Sequence, residues 1–320
     1  MGARLHLSES DILEYIRHVF AGGTKLTDDC GRLPSPPPGE TLLVTTDLME
    51  SGQHFQLEWH PPKMLGRKLL ASNLSDLDSS GAVPLGFTLT LAVGKDIDAT
   101  FLEQVLEGLA EGAKDYNIAI IGGDTVGRQT GLGLGMAAFG ATKRWLRRSG
   151  VAEGDNIYVD ALPGASHRGL NKLKAGLRWD PSAPDPDILA HLDPKPQIGL
   201  GAKLAAIPQI HACIDISDGL SKDLRMLAEA SGLSIVVGPG LDSDSLFGGE
   251  DYSRCFACNI DAESLQKLTG QHFHYIARAV SRAEAPLLLY TGTSILPLED
   301  GSFEHFRTQG LEVGNGPNAM

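Results

Sequence analysis

The stretch Ile118-Ala119-Ile120-Ile121-Gly122-Gly123-Asp124 joins a short apolar run directly to two glycines and a carboxylate. Such an unbroken apolar run, rich in β-branched residues, is typical of a buried strand. An amphipathic helical pattern precedes it from Phe101 to Tyr116, and a further strand is predicted over 131–140. Strands alternate with helices here, but some spacings suit hairpins. We therefore predict an α+β fold with a mixed sheet.

The same alternation extends in both directions along the chain. A helix is predicted from Ser8 or Ser10 to Gly22, and further N-terminal elements are a strand at 41–46, a helix at 62–80 and a strand at 87–93. The composition turns basic and polar between Lys143 and Gly154, which predicts an N-terminal domain of residues 1–145 and a C-terminal α/β domain of residues 146–320. The second half has a predicted helix at 219–231 and predicted strands at 212–215, 234–238, 253–259, 275–280 and 286–290. We expect the Pro-rich segment from Pro181 to Pro196 to lie outside any core.

Composition excludes several classes of protein. The 320 residues carry 40 Asp and Glu against 27 Lys and Arg, a net charge of −13. This balance argues against a nucleic-acid partner, because phosphate backbones are held chiefly by Lys and Arg. The sequence contains no apolar run of membrane-spanning length and no signal-peptide pattern at its start, so we expect no membrane partner. Four cysteines are too few for a disulfide scaffold, and a reducing cytoplasm is the expected location.

Five acidic clusters carry the functional signal, and three of them follow directly on a predicted apolar strand. They are Asp28-Asp29, Thr45-Thr46-Asp47, Asn73-Leu74-Ser75-Asp76, Gly122-Gly123-Asp124 and Asp215-Ile216-Ser217-Asp218-Gly219. Converging carboxylates repel one another unless cations lie between them. Carboxylate and hydroxyl oxygens are the ligands that Mg²⁺ prefers, with substrate phosphates completing its shell. The clusters predict a site in which several Mg²⁺ ions clamp a polyphosphate.

Each cluster also has a plainer interpretation. A single Asp after a strand is often a turn former or a helix cap, and Ser217 or Asp218 would suit the N-cap of the following helix. Asn73 and Asp76 lie within a helical pattern, where a solvated face is the default. Cys255 and Cys258 have zinc-like spacing, but no second pair follows at a suitable distance, so we predict two buried thiols.

The usual nucleotide-binding motifs are absent from the sequence. There is no Gly-x-x-x-x-Gly-Lys-Ser/Thr loop, and no Gly-x-Gly-x-x-Gly opens a helix. The His-Arg-Asp and Asp-Phe-Gly motifs of protein kinases are absent as well. If the chain binds ATP, it does so with another architecture.

A combination of motifs carries a resemblance to a known family. Besides the last four acidic clusters, it comprises Gly52-Gln53-His54-Phe55, Gly81-Ala82-Val83-Pro84 and Gly249-Glu250-Asp251-Tyr252. Taken in chain order, these motifs resemble those of thiamine-monophosphate kinase, and the resemblance covers about residues 10 to 306. That family belongs to the aminoimidazole-ribonucleotide-synthetase-like ATP-binding superfamily, whose members are two-domain α/β proteins and usually homodimers.

The resemblance implies transfer of the ATP γ-phosphoryl group to thiamine monophosphate, with several Mg²⁺ ions and ATP as co-substrate. It implies Mg²⁺ ligands at Asp29, Thr45, Thr46, Asp47, Asp76, Asp124, Asp215 and Asp218. It implies ATP contacts at Gly123, Asp124, Arg148 and Ser217, and thiamine phosphate contacts at His54, Glu250 and Phe303. Among these, Asp47, Asp124 and Asp218 are the expected catalytic residues. ATP and thiamine monophosphate are the expected small-molecule partners, and a second copy of the chain is the expected protein partner.

The chain departs from the family pattern at three places. Lys25-Leu26-Thr27 replaces a usual Gly-Ile-Gly, Asp78-Ser79-Ser80 replaces a small apolar run, and Ser253-Arg254 replaces a usual Glu-Leu. Loss of the glycines changes how closely the backbone can approach a phosphate. Two alternatives therefore remain: a family member with another ATP-activated acceptor, and a non-catalytic nucleotide-binding paralogue.

Overall fold

The computed structural model describes residues 8–20, 30–299 and 301–302. Its helices are α1 (Glu9–Val19), α2 (Pro62–Ser79), α3 (Ala99–Asp115), α4 (Ala165–Lys174), α5 (Pro186–Leu192), α6 (Leu200–Ala205), α7 (Leu220–Ser231), α8 (Ser243–Phe247) and α9 (Ala262–Thr269). Its strands are β1 (Thr41–Glu50), β2 (Val83–Gly94), β3 (Ala119–Arg128), β4 (Leu132–Thr142), β5 (Asn156–Val159), β6 (Ile210–Asp215), β7 (Ser234–Val237), β8 (Arg254–Cys258), β9 (His274–Val280), β10 (Leu287–Tyr290) and β11 (Ile295–Pro297). In the part of the chain that the structure describes, no helix is both long and apolar enough to span a bilayer.

The strands form two mixed sheets, which confirms the predicted fold class. The first sheet has the order β1-β4-β2-β3, with β4 antiparallel to both neighbours and β2 parallel to β3. The second has the order β11-β10-β7-β9-β5-β8-β6. The first sheet ends at Thr142 and the second begins at Asn156. The domain boundary at 145/146 stays a prediction.

Helix α2 lies between the two sheets. Leu69, Leu70 and Leu74 pack into the core of the first sheet, and the helix also contacts β6, β8, α5 and α6 of the second half. Polar residues of α2 are therefore buried as well, among them Lys68 and Asn73. The interpretation that Asn73 lies on a solvated face is wrong, because that side of the helix is covered by the rest of the protein.

Two of the motif carboxylates that were predicted to follow strands lie inside them. β1 extends to Glu50 and so contains Asp47, and β3 extends to Arg128 and so contains Asp124. β3 continues because its two glycines still pair with β2, Gly122 with Thr88 and Gly123 with Leu89. At Gly123 a Cβ would lie 2.1 Å from the carbonyl oxygen of Leu89, so no side chain fits there.

The expectation that the Pro-rich segment lies outside the core is wrong. It contains α5, in which Ile188 and Leu192 are buried and pack in a cluster with Leu173. Pro186 stands at the start of the helix, where its missing N–H costs nothing. Asp185 caps the same end by accepting hydrogen bonds from the backbone N–H groups of residues 187 and 188. Proline and acidic residues here mark a helix start, not a loop.

Candidate active site

A cavity of about 740 Å³ lies where α2 and β1 meet the second half of the chain. Its lining includes two chemical groups of residues, a carboxylate cluster called here the acidic end and a set of mostly ring-bearing side chains called here the ring-rich end. The acidic end comprises Asp47, Asp76, Asp215 and Asp218, with Thr46, Ser72 and Ser217. The other end comprises Phe55, Trp59, His167, Leu170, His191 and Tyr252, with His54 and Glu250. Both halves of the chain therefore contribute to a single site.

Four separate elements bring the carboxylates of the acidic end together. Asp47 lies on β1, Asp76 on α2 and Asp215 at the end of β6, while Asp218 lies just before α7. Hydroxyl groups orient two of them. The Thr45 hydroxyl donates to Oδ2 of Asp76 at 2.5 Å, and the Ser75 hydroxyl donates to Oδ2 of Asp215 at 2.9 Å.

Burial and crowding make Asp47, Asp76 and Asp215 weak acids. Burial first, and then the nearby Asp215 and Asp47, raise the pKa of Asp76 to about 8. Burial also raises the pKa of Asp215 to about 6, with Asp47 adding to the effect. The pKa of Asp47 is raised for the same reason, burial first. Without a cation the acidic end therefore retains protons near neutral pH.

The donor set suits Mg²⁺, which takes oxygen ligands and keeps several waters or phosphate oxygens in its shell. Within the described residues no group of three or more His, Cys, Asp or Glu side chains is arranged to hold a metal ion by itself. The side chains of the acidic end offer carboxylate and hydroxyl oxygens, the donor types that Mg²⁺ prefers. The rise in carboxyl pKa points the same way, because a divalent cation would replace the retained protons.

Not every predicted ligand lies at this end of the cavity. Asp124 is exposed and stands in register with Thr90, Gly135 and Leu48, a row on the outer face of the first sheet. Asp47 stands one row away, on the inner face. Neither Asp124 nor Gly123 lines the cavity, and Thr46, whose hydroxyl donates to the carbonyl of Met136 at 2.9 Å, lines its rim.

The predicted ATP contacts of the second half lie close to the carboxylates. Arg148 is exposed, and its positive charge lowers the pKa of both Asp76 and Asp215. Ser217 lines the cavity, and Asp218 forms an ion pair of 2.7 Å with Lys222 one turn into α7. The N-cap position of α7 is Gly219 without a side-chain cap, so the helix-cap interpretation of Ser217 or Asp218 is wrong.

The predicted acceptor contacts line the ring-rich end. His54 accepts a hydrogen bond at Nδ1 from the backbone N–H of Glu50, 3.0 Å away. Oε2 of Glu250 is 3.0 Å from Nζ of Lys68, a residue that sequence reasoning missed. Lys68 lies in the apolar stripe of α2, between Leu65 and Leu69. A lysine within such a stripe was the sequence signal that could have identified it as a buried cation. Asp29 and Phe303 lie outside the described residues.

Two of the sequence departures meet each other in the fold. Asp78 and Arg254 form an ion pair of 2.6 Å, and both side chains are fully buried. Asp160 lies on the other side of the Arg254 guanidinium, and Asp78 also accepts from the backbone N–H of Gly201 at 2.9 Å. None of these four residues lines the cavity. The pair joins α2 to the second sheet.

Comparison with known proteins decides the family. The family model "AIR synthase related protein, N-terminal domain" matches residues 27–142. The thiamine-monophosphate kinase of Synechococcus elongatus is 32% identical over 324 residues, which cover 94% of this chain and 97% of that protein. The chain belongs to the thiamine-monophosphate kinase family. As a member of this family it is an enzyme, a phosphotransferase.

Solved structures support the fold but do not separate this family from its superfamily. The complex described as AaThiL with AMPPCP and TMP has a TM-score of 0.73 and 23% identity, covering 95% of this chain and 100% of that one. The hydrogenase maturation protein HypE of Escherichia coli has a TM-score of 0.74 and 18% identity, covering 94% of this chain and 99% of that one. Backbone similarity is equal in the two cases, so the thiamine-monophosphate kinase assignment rests on sequence identity.

Proposed function

We propose that this thiamine-monophosphate kinase family member transfers the γ-phosphoryl group of ATP to thiamine monophosphate, giving thiamine diphosphate and ADP. The observation that carries the proposal is a single cavity whose lining combines a carboxylate cluster with ring-bearing side chains. The carboxylates suit a metal-bound polyphosphate, and the rings suit a flat heterocyclic acceptor. A related protein has been solved with AMPPCP and TMP, which agrees with this division.

Several Mg²⁺ ions are the proposed cofactors. The acidic end offers Thr46 and four carboxylates, Thr45 is hydrogen-bonded to one of these carboxylates, and the family resemblance adds Asp29 and Asp124 as further ligands beside Thr45. When bound, the ions supply charge neutralisation for the phosphates of both substrates. Arg148 adds a fixed positive charge beside the same phosphates, and Ser217 adds a hydroxyl; the Gly123 backbone is the third proposed ATP contact.

The chemistry needs positioning more than proton transfer. The attacking atom is an oxygen of the acceptor phosphate, whose second pKa is about 6, so it is mostly ionised at neutral pH. No general base is required, and a direct in-line transfer depends on bringing two anions together and neutralising them. Asp47, Asp124 and Asp218 are the proposed catalytic residues in this sense. His54, Glu250 and Phe303 are the proposed contacts of the thiamine phosphate.

A homodimer is proposed from the outer face of the first sheet. Leu42, Val44 and Leu48 of β1 expose 40%, 64% and 60% of their surface, and Val126 of β3 exposes 47%. Apolar area of this kind, on a sheet whose edge strand is open, typically marks a protein interface. Val44→Glu would place a charge in that interface, and light scattering should then report a monomer where the wild-type protein is a dimer. Three buried thiols outside any disulfide fit the proposed cytoplasmic location.

The test is ADP release from ATP and Mg²⁺ with and without thiamine monophosphate, with chromatographic identification of the product. ADP and thiamine diphosphate that form only with both substrates support the proposal. Unphosphorylated thiamine should give no product, because its hydroxyl would need a general base. Acceptor-independent ADP release would favour another ATP-activated acceptor, and nucleotide binding without ADP would favour the non-catalytic alternative.

A further inference from the structure

Lys68 is a buried ammonium group that contacts the wall of the cavity. Its side chain is 1% exposed, on the side of α2 that faces the second half of the chain. Its Nζ donates to the backbone carbonyl of His191 at 2.9 Å and to Oε2 of Glu250 at 3.0 Å. A buried lysine is costly unless it is paired, so Glu250 is its compensating charge.

Two imidazoles stand near Lys68 and Glu250, and both are neutral. His191 Nδ1 lies 3.3 Å from the same Oε2 and 3.2 Å from the Ser166 hydroxyl. Burial lowers the pKa of His191 far below its usual value, and Lys68 lowers it further, so the imidazole carries no charge. Burial likewise lowers the pKa of His60, to about 3. Lys68 is the cation in direct contact with Glu250, and Lys174 is a further cation in the cavity lining.

Both contacts use one carboxylate oxygen. Oε2 faces Lys68 and His191, whereas the described residues give Oε1 no partner, and 27% of the Glu250 side chain is exposed toward the cavity. The backbone is also fixed, since Glu250 has a φ of 64° and its N–H donates to the Ser217 carbonyl at 2.8 Å. A non-glycine residue in this region persists where its surroundings hold it, often at a functional site.

We propose that Lys68 is a positioning residue that holds Glu250 as an anion, with Oε1 presented to an N–H or cationic group on the ring of the acceptor. This inference rests on the proposed function, which supplies a cationic heterocycle with an amino group as the acceptor. Lys68 itself touches no substrate. Lys68 fixes the orientation and the negative charge of the Glu250 carboxylate, whose Oε1 contacts the acceptor, and it thereby raises the affinity for the acceptor. It leaves the ATP end of the cavity unaffected.

The test is a double-mutant cycle with Lys68→Met and Glu250→Gln, read as KM for thiamine monophosphate, KM for ATP and kcat. Each single variant should raise the KM for thiamine monophosphate about ten- to hundred-fold, the range of a lost hydrogen bond to a charged group. KM for ATP and kcat should stay within about two-fold. The double variant should be no worse than Glu250→Gln, because Lys68 acts only through Glu250.

The matched control is Lys63→Met, which removes an exposed, ion-paired lysine from the same helix. It should change none of the three parameters. If Lys68→Met alone does not fold, the double variant removes both charges of the pair, and its comparison with Glu250→Gln replaces the single one. Additive losses in the cycle, or equal losses in both KM values, would mean that Lys68 only supports the fold and would overturn the inference. A wild-type protein that neither binds nor phosphorylates thiamine monophosphate would overturn the proposed function, and this inference with it.

Discussion

Removing Arg254 tests how the two halves of the chain are held together. Arg254→Leu keeps an aliphatic side chain of comparable bulk near the backbone but removes the guanidinium between Asp78 and Asp160. Both carboxylates then remain buried, and the carbonyl of Gln197 loses a donor that lies 2.9 Å away. Breaking a buried pair in this way costs about 3–5 kcal/mol. For a chain of this length we expect the melting temperature to fall by about 4–7 °C.

The assay is thermal unfolding of Arg254→Leu, Asp78→Ala and the double variant. The double variant should lose less stability than the sum of the singles, by about 1–3 kcal/mol, because the two residues interact directly. Arg278→Leu is the control, an exposed arginine on β9 of the same sheet, and should change stability by less than about 0.5 kcal/mol. A fall of less than about 2 °C for Arg254→Leu, or additive losses in the cycle, would refute the account of this pair.

Three further predictions concern the cavity and its sheet. Asp47→Asn should lower kcat by about 100-fold or more with an unchanged circular dichroism spectrum; near-full activity would contradict the multi-metal interpretation. The pKa values of Asp76 and Asp215 are raised in the folded protein, to about 8 and about 6, whereas an aspartate in the unfolded chain has a pKa of about 4. The two groups therefore stabilise the folded state fully below about pH 4, and this contribution is lost as the pH rises through the raised values. The melting temperature of chelator-treated protein should therefore fall between about pH 5 and about pH 8.5, and Mg²⁺ should stabilise more at the higher pH; a pH-independent response would argue against a proton-retaining cluster. Gly123→Ala should destabilise the protein by about 2 kcal/mol or more in denaturant titration, because its Cβ would overlap the Leu89 carbonyl. Gly127→Ala on the same strand, where nothing lies within 4 Å of the new Cβ, should cost far less, and equal losses would contradict the steric argument.

The parts of the fold that follow from local pattern were predictable. The apolar run before Gly122 and the stripe of α2 predicted a strand and a helix, and both exist. Residues within β1 alternate between faces, which is why Thr45 and Asp47 share one side of the sheet. The acidic clusters predicted a convergence of carboxylates, and four of them line one cavity, although Asp47 lies within β1 and Asp124 lies on the outer face of the sheet.

What the sequence could not supply is the contact between distant segments. Asp78 and Arg254 are separated by 176 positions, and each alone reads as an unfavourable polar substitution. Lys68 is equally uninformative until Glu250, from the other half, is placed beside it. Helix α5 was missed because polar and proline residues at a helix start resemble a loop when the buried partner Leu173 is unknown. The position of Asp124 on the outer face depends on strand register, which motif spacing does not specify.

The most direct test of the central claim is ³¹P NMR of the wild-type protein with ATP, Mg²⁺ and thiamine monophosphate in one tube. The account predicts that the thiamine monophosphate and ATP signals decline together while those of thiamine diphosphate and ADP grow in equal amounts, with no change when the acceptor or Mg²⁺ is left out. Release of inorganic phosphate at the same rate with and without the acceptor would contradict it, because the cavity would then hydrolyse ATP and not transfer its phosphoryl group.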